Sequence, residues 1–128
     1  MRVAINVEQL LFRTPGGTGR YTANLVRLLP ELFDGDEVLA FCAHHLTSEI
    51  IEAYRSFDLG DPRGNHPDVS RLPRPLLYEA WHRLGRCQPR RLSPSIARAE
   101  IVHAPSPAVP PRGSVPLVVT VHDASFIR

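Results

Sequence analysis

Apolar residues follow two different periods along this chain. Residues 3–7, Val-Ala-Ile-Asn-Val, form a short β-branched run with little alternation, as in a strand covered on both faces of a parallel sheet. From Tyr21 the period changes, and Tyr21, Leu25, Leu28, Leu29, Leu32 and Phe33 fall on one helical face, with Thr18 available as the cap. Pro30 removes a backbone donor late in that helix and predicts a distorted last turn before Asp34-Gly35-Asp36 ends it. Residues 38–43 predict a second strand. Residues 47–57 predict a second helix, with Ile50, Ile51, Tyr54 and Phe57 at helical spacing behind a Thr/Ser start.

Farther on the signals shorten. Residues 58–68 carry Gly, Pro, Asn and Asp and read as loop, and residues 69–72 read as a short strand. Leu76, Leu77, Ala80, Trp81 and Leu84 give one apolar helical face between Pro73 and Pro94. Residues 93–99 predict a helical turn and residues 101–103 a brief strand. The five prolines from Pro105 to Pro116 then exclude regular structure, and residues 117–121 form the clearest strand of all. Strands alternating with helices in this way predict an α/β fold, a Rossmann-like and mostly parallel sheet flanked by helices.

Composition narrows the function classes. At 128 residues the chain is expected to form one domain, residues 1–128, and its 43% hydrophobic and 22% charged residues are those of a soluble globular protein. A net charge of +2 is too small for a nucleic-acid footprint. All 15 basic residues are arginine, which excludes Schiff-base chemistry and the P-loop lysine. The first residues are too briefly apolar for a signal or spanning segment, so the expected location is cytoplasmic. Arg83, Arg86, Arg90 and Arg91 form either a solvated helix end or a basic patch permitting peripheral membrane contact. Cys42 and Cys87 make neither a disulfide framework nor a spaced metal site and read as plain thiols. Adjacent His44 and His45 would point opposite ways on a strand, so no metal is expected there.

The candidate chemistry lies where strands of an open α/β sheet end. Pro15-Gly16-Gly17-Thr18-Gly19-Arg20-Tyr21 packs three glycines into four positions, which lets backbone N–H groups approach an anion and permits positive φ; a following helix adds its dipole. The alternative is a loop whose glycines serve only to turn the chain. His103 follows the fourth predicted strand, and His122-Asp123 follows the fifth. All three features are expected to converge on one crevice. A nicotinamide fingerprint fits poorly, because residues 8–15 intervene before the glycines, Thr22 replaces the third glycine, and no acid ends the second strand. Neither a Walker loop nor a nucleophile elbow is present.

The glycine stretch, the segment Ile101-Val102-His103-Ala104-Pro105-Ser106 and the closing Val119-Thr120-Val121-His122-Asp123 together resemble the amino-terminal half of family 4 nucleotide-sugar glycosyltransferases, retaining enzymes of GT-B fold. The resemblance covers essentially the whole chain. It implies a hexosyltransferase-type enzyme in which Gly16, Gly17 and Thr18 meet the donor diphosphate, His122 faces the reacting sugar, and His103, Asp123 and Arg20 line the substrate site. It also implies that Arg20 and Tyr21 anchor the helix start. The implied partners are a nucleotide-sugar donor, a glycan or lipid-linked acceptor and a carboxyl-terminal half; the nucleotide sugar is a substrate, and no cofactor or metal is implied. Ending past a strand at Phe126-Ile127-Arg128, the chain reads as a truncated acceptor-side domain that is inactive alone. The alternative is a noncatalytic sugar-phosphate or nucleotide-binding module of the same fold.

Overall fold

The computed structural model describes residues 1–61, 66–83 and 93–123. In chain order the elements are β1 (Arg2–Asn6), a 3-10 turn (Glu8–Leu11), α1 (Gly16–Leu32), β2 (Glu37–Cys42), α2 (Thr47–Ser56), β3 (Asp68–Val69), α3 (Arg74–Arg83), α4 (Pro94–Arg98), β4 (Ile101–Ala104) and β5 (Leu117–Val119). The five strands form one sheet in the order β3-β2-β1-β4-β5, with every neighbouring pair parallel. This is the Rossmann-like α/β arrangement expected from the alternating periods.

β1 lies at the centre because both of its faces are apolar. Val3, Ile5 and Val7 point to one side, where Val38, Ala40 and Cys42 of β2 join Ala23 and Val26 of α1 and Ile50, Ala53 and Tyr54 of α2. Ala4 points to the other side, with Leu39, Phe41 and Val102, beneath Leu77 and Trp81 of α3 and Ile96 of α4. A strand side-chain period of two therefore feeds two cores, one for each layer of helices. Burying one side chain such as Ile5 or Phe41 contributes about 1.5–3 kcal/mol, so the double coverage stabilises this central pair strongly.

Several boundaries differ from the sequence reading for local reasons. α1 ends at Leu32, two residues before Asp34-Gly35-Asp36; Pro30 lies exposed inside its last turn, and the amide of Phe33 still donates to Leu29 O at 3.2 Å. β3 is only two residues long, although Ser70 N donates to Cys42 O and His44 N donates to Leu72 O, so backbone pairing outlasts the regular strand. β5 stops at Val119, short of the five residues expected. Among the described residues it is an edge strand with β4 as its one neighbour, and Val118, Val119 and Val121 are exposed. α4 starts at a proline, with Ser93 Oγ accepting from Ile96 N at 3.4 Å and donating to Asp68 Oδ2 at 2.6 Å. Asp68 also accepts from Ser95 N, which ties β3 to the start of α4. Among the described residues no helix is long and apolar enough to cross a membrane.

Candidate functional site

The glycine stretch is the first turn of a helix rather than a loop before one. Pro15 already has helical dihedrals, φ −65° and ψ −31°, and α1 begins at Gly16. Proline pre-sets this conformation and has no N–H to leave unpaired, which outweighs the low helix propensity of the glycines. Thr18 therefore sits inside the helix and does not cap it; its carbonyl accepts the Thr22 hydroxyl at 2.8 Å. Positive φ occurs at Gly16, at +62°, and not at Gly17 or Gly19. Gly19 is needed for close packing, since a Cβ there would lie 2.4 Å from the Pro15 Cβ and 3.2 Å from the Phe57 ring.

The three glycines thus divide their tasks. Gly19 seats the helix, whereas Gly16 and Gly17 have no heavy atom within 4 Å of where a Cβ would stand. With Arg20, Pro15, Ser56 and Phe57 they line an open groove of about 550 Å³. Amides in a first helical turn have no intrahelical acceptor and sit at the positive end of the helix dipole. The groove thus presents donors and a guanidinium to an anion.

His103 and His122 meet around Tyr21, and none of the three lines this groove, so the glycines and the histidines do not share the one crevice expected of them. The Tyr21 ring stands edge-on to both imidazoles, with centroids 5.0 Å from His122 and 6.3 Å from His103. Its hydroxyl is hydrogen-bonded to Thr120 Oγ1 at 3.2 Å, and Thr120 Oγ1 is hydrogen-bonded to His103 Nε2 at 2.8 Å. Burial and the neighbouring His122 hold the His103 imidazole below the ordinary histidine range. His103 does not reach the proline-rich loop; His122 does, its Nε2 lying 2.7 Å from Pro105 O. A carbonyl only accepts, so Nε2 carries the hydrogen and Nδ1 is the nitrogen left for another partner. Asp123 lies exposed directly after His122. Tyr21 follows Arg20 in α1, so one helical turn bears both the anion-facing groove and the tyrosine of the histidine cluster.

A third constellation escaped the sequence reading. Glu8, only 1% exposed, accepts from Ala43 N at 2.8 Å and from His45 Nε2 at 2.7 Å, with the Arg74 guanidinium 3.9 Å away. His45 Nδ1 faces Glu49 Oε2 at 3.7 Å, and Arg74 also lies over the Phe12 ring at 4.6 Å. Asn6, equally buried, donates to Ala108 O and accepts from Glu8 N. The available signal was an acid directly after an apolar strand, which needs a partner if buried.

Among the described residues, no group of three or more His, Cys, Asp or Glu side chains is placed to hold a metal ion. Cys42 is buried in the core, and burial pushes its thiol well above the ordinary range, as expected of an inert thiol. Arg83 pairs with Glu79 one turn earlier, while Arg86, Cys87, Arg90, Arg91 and the 126–128 ending lie outside the described residues. Comparison with protein-family models, curated proteins and solved structures finds no match to this chain.

Proposed function

We propose that the chain is the amino-terminal, acceptor-side half of a retaining glycosyltransferase, moving a sugar from a nucleotide-sugar donor to a sugar, lipid or glycoside acceptor. The observation that carries this reading is Tyr21, which belongs to the Gly-Arg-Tyr run and packs edge-on against both His103 and His122 of the two later motif segments. Three stretches far apart in sequence thereby meet around the start of one helix.

Sugar transfer requires stabilisation of a departing diphosphate and of an oxocarbenium-like sugar. The amides of Gly16 and Gly17, with Arg20 beside them, supply fixed positive potential for the first. His122, held through Nε2 by Pro105, offers Nδ1 as a polar group toward the second. His103 and Thr120 hold the tyrosine against which His122 rests. The other wall of the donor site belongs to the proposed carboxyl-terminal half, so residues 1–128 alone should bind nucleotide sugars no better than millimolar, about 4 kcal/mol, and transfer nothing.

Two measurements test the proposal. Titration of residues 1–128 with a nucleoside diphosphate, followed by amide NMR, should move Gly16 and Gly17 saturably; unmoved resonances reject the anion role. In the protein carrying both halves, His122→Ala should lower kcat more than it raises donor KM, because the group meets charge mainly in the transition state. Unchanged kcat in a folded variant rejects the role of His122. Nucleotide binding without transfer by the two-half protein would identify a noncatalytic binding module instead.

A further inference from the structure

Glu8 is a costly residue that the proposed transfer does not use. Burying a carboxylate is unfavourable unless it is paired and hydrogen-bonded, and here one acid has drawn a backbone amide, an imidazole and a guanidinium toward itself. Its effect is to fix the imidazole of His45. A carboxylate only accepts, so Nε2 of His45 carries the hydrogen toward Glu8, and Nδ1 is aimed at Glu49. Glu49 is held by Leu46 N, which donates to its Oε2 at 2.8 Å, and the 3.7 Å approach of His45 Nδ1 is an ion-pair contact when the ring carries both hydrogens. The exposed carboxylate of Glu49 thus stands beside an imidazole whose position is fixed from the interior.

That carboxylate lines a cavity. Between the 3-10 turn and α2 lies a recess of about 310 Å³, at the lower end of the range for small-molecule sites, walled by Glu49, Glu52 and Arg13 over Leu11, Phe12 and Ala53. Glu49 and Glu52 stand three residues apart on α2 and so project from one helical face. The recess shares Pro15 and Ser56 with the groove at Gly16, Gly17 and Arg20, so the two are contiguous.

We infer that this recess binds a neutral, polyhydroxylated ligand, a pyranoside, through Glu49 and Glu52. Its charges select against the alternatives. An anion would meet two carboxylates, and a cation would meet Arg13 and, next door, Arg20. A sugar ring matches both halves of the lining, its hydroxyls donating to the carboxylates and accepting from the guanidinium while its C–H face rests on Leu11 and Phe12. The assignment rests on the glycosyltransferase reading in one respect: a sugar bound here adjoins the anion-facing groove, as an acceptor beside a donor diphosphate must. The class it names is a neutral glycoside acceptor.

The test uses residues 1–128 and amide NMR, with methyl glucopyranoside and maltose as probes and glucosamine and glucuronate as charged controls. Neutral sugars should shift Leu11, Phe12, Glu52 and Ser56 saturably, and each charged control should bind more weakly. Glu52→Gln, an exposed change that leaves the fold intact, should weaken the neutral sugars about tenfold through loss of a charge-assisted hydrogen bond. Glu8→Gln should weaken them less while loosening Glu49, seen as a changed His45 ring nitrogen pattern. No saturable shift with either neutral sugar, equal affinity in Glu52→Gln, or tighter binding of glucosamine than of the neutral sugars overturns the inference. A nucleoside diphosphate that moves Gly16 and Gly17 while both sugars fail would leave the glycosyltransferase reading standing and remove only this site.

Discussion

Replacing Glu8 by alanine should be among the most damaging single changes available to this fold. The side chain is 1% exposed, so solvent screens it little and cannot replace its contacts after truncation. Its removal strands the buried amide of Ala43, which costs about 1–3 kcal/mol. It also takes the partner from His45 and from the partly exposed Arg74, and it leaves a void behind the 3-10 turn. Breaking a buried pair by removing one member costs about 3–5 kcal/mol, and the exposure of Arg74 places this site at the lower end, near 3 kcal/mol. That is a large share of the roughly 5–15 kcal/mol that holds a domain together. Glu8→Gln keeps one acceptor, enough for Ala43 N, and turns its NH2 group toward His45, whose ring must then present a bare nitrogen; it should cost about 1–2 kcal/mol, less than the alanine change. Urea unfolding followed by circular dichroism measures both, with an unchanged denaturant slope confirming that the native state is the same. A Glu8→Ala loss below about 1 kcal/mol, or a Gln variant as unstable as the Ala variant, would refute the buried-pair reasoning.

The helix start offers a paired control: Gly19→Ala should destabilise by about 1–3 kcal/mol because its methyl meets Pro15 at 2.4 Å, whereas Gly17→Ala should be neutral or stabilising by up to about 1 kcal/mol. Equal midpoints for the two in thermal unfolding would contradict the packing role of Gly19. The downward shift of His103 means that the unfolded chain binds its proton first as pH falls. The stability linked to His103 is therefore complete above the ordinary histidine value of 6.5 and is lost as pH drops from there toward the folded value. His103→Gln should flatten that part of the stability-against-pH curve, and an unchanged slope would count against the burial argument. The exposed apolar edge at Val118 and Val119 should make the chain self-associate at high concentration by light scattering, and Val119→Lys should reduce this without altering the circular dichroism spectrum, because a charge on an exposed edge opposes strand addition. Undiminished association would locate the sticky surface elsewhere.

How much could be read beforehand depended on whether the information was local. β1, β2 and α2 were legible to within one residue at either end, since an apolar run or a 3.6-residue stripe is set by neighbours in sequence. α1 was recognised, but its start was misplaced because Pro-Gly-Gly carries turn chemistry and helix-entry chemistry together; the proline sets the entry, and the need for a glycine at position 19 comes in part from Phe57, 38 residues away. β5 was overestimated because β-branched composition reports propensity and cannot report that, among the described residues, only β4 lies beside it. Of the site, the pairing of His103 with His122 follows from strand ends lying side by side. The links through Tyr21 and Thr120 do not, and neither does Glu8, whose partners His45 and Arg74 are brought to it by β2 and α3.

The strand order also sets a timetable for folding during synthesis. β1 is made first, yet its two neighbours are β2, 35 residues on in register, and β4, 98 residues on, as in the pairs Arg2 with Glu37 and Val3 with Ile101. At roughly 5–20 residues per second, the ribosome leaves one edge of β1 without its strand for about 3–13 s after the other can pair. During that interval β1, β2, α1 and α2 can assemble around Ile5, Val38 and Ile50, while the opposite face, with Ala4 and Phe41, waits for α4 and β4. The nascent chain thus carries an open, apolar parallel edge late into its synthesis, and the last third of the sequence acts as the closing piece for the first strand.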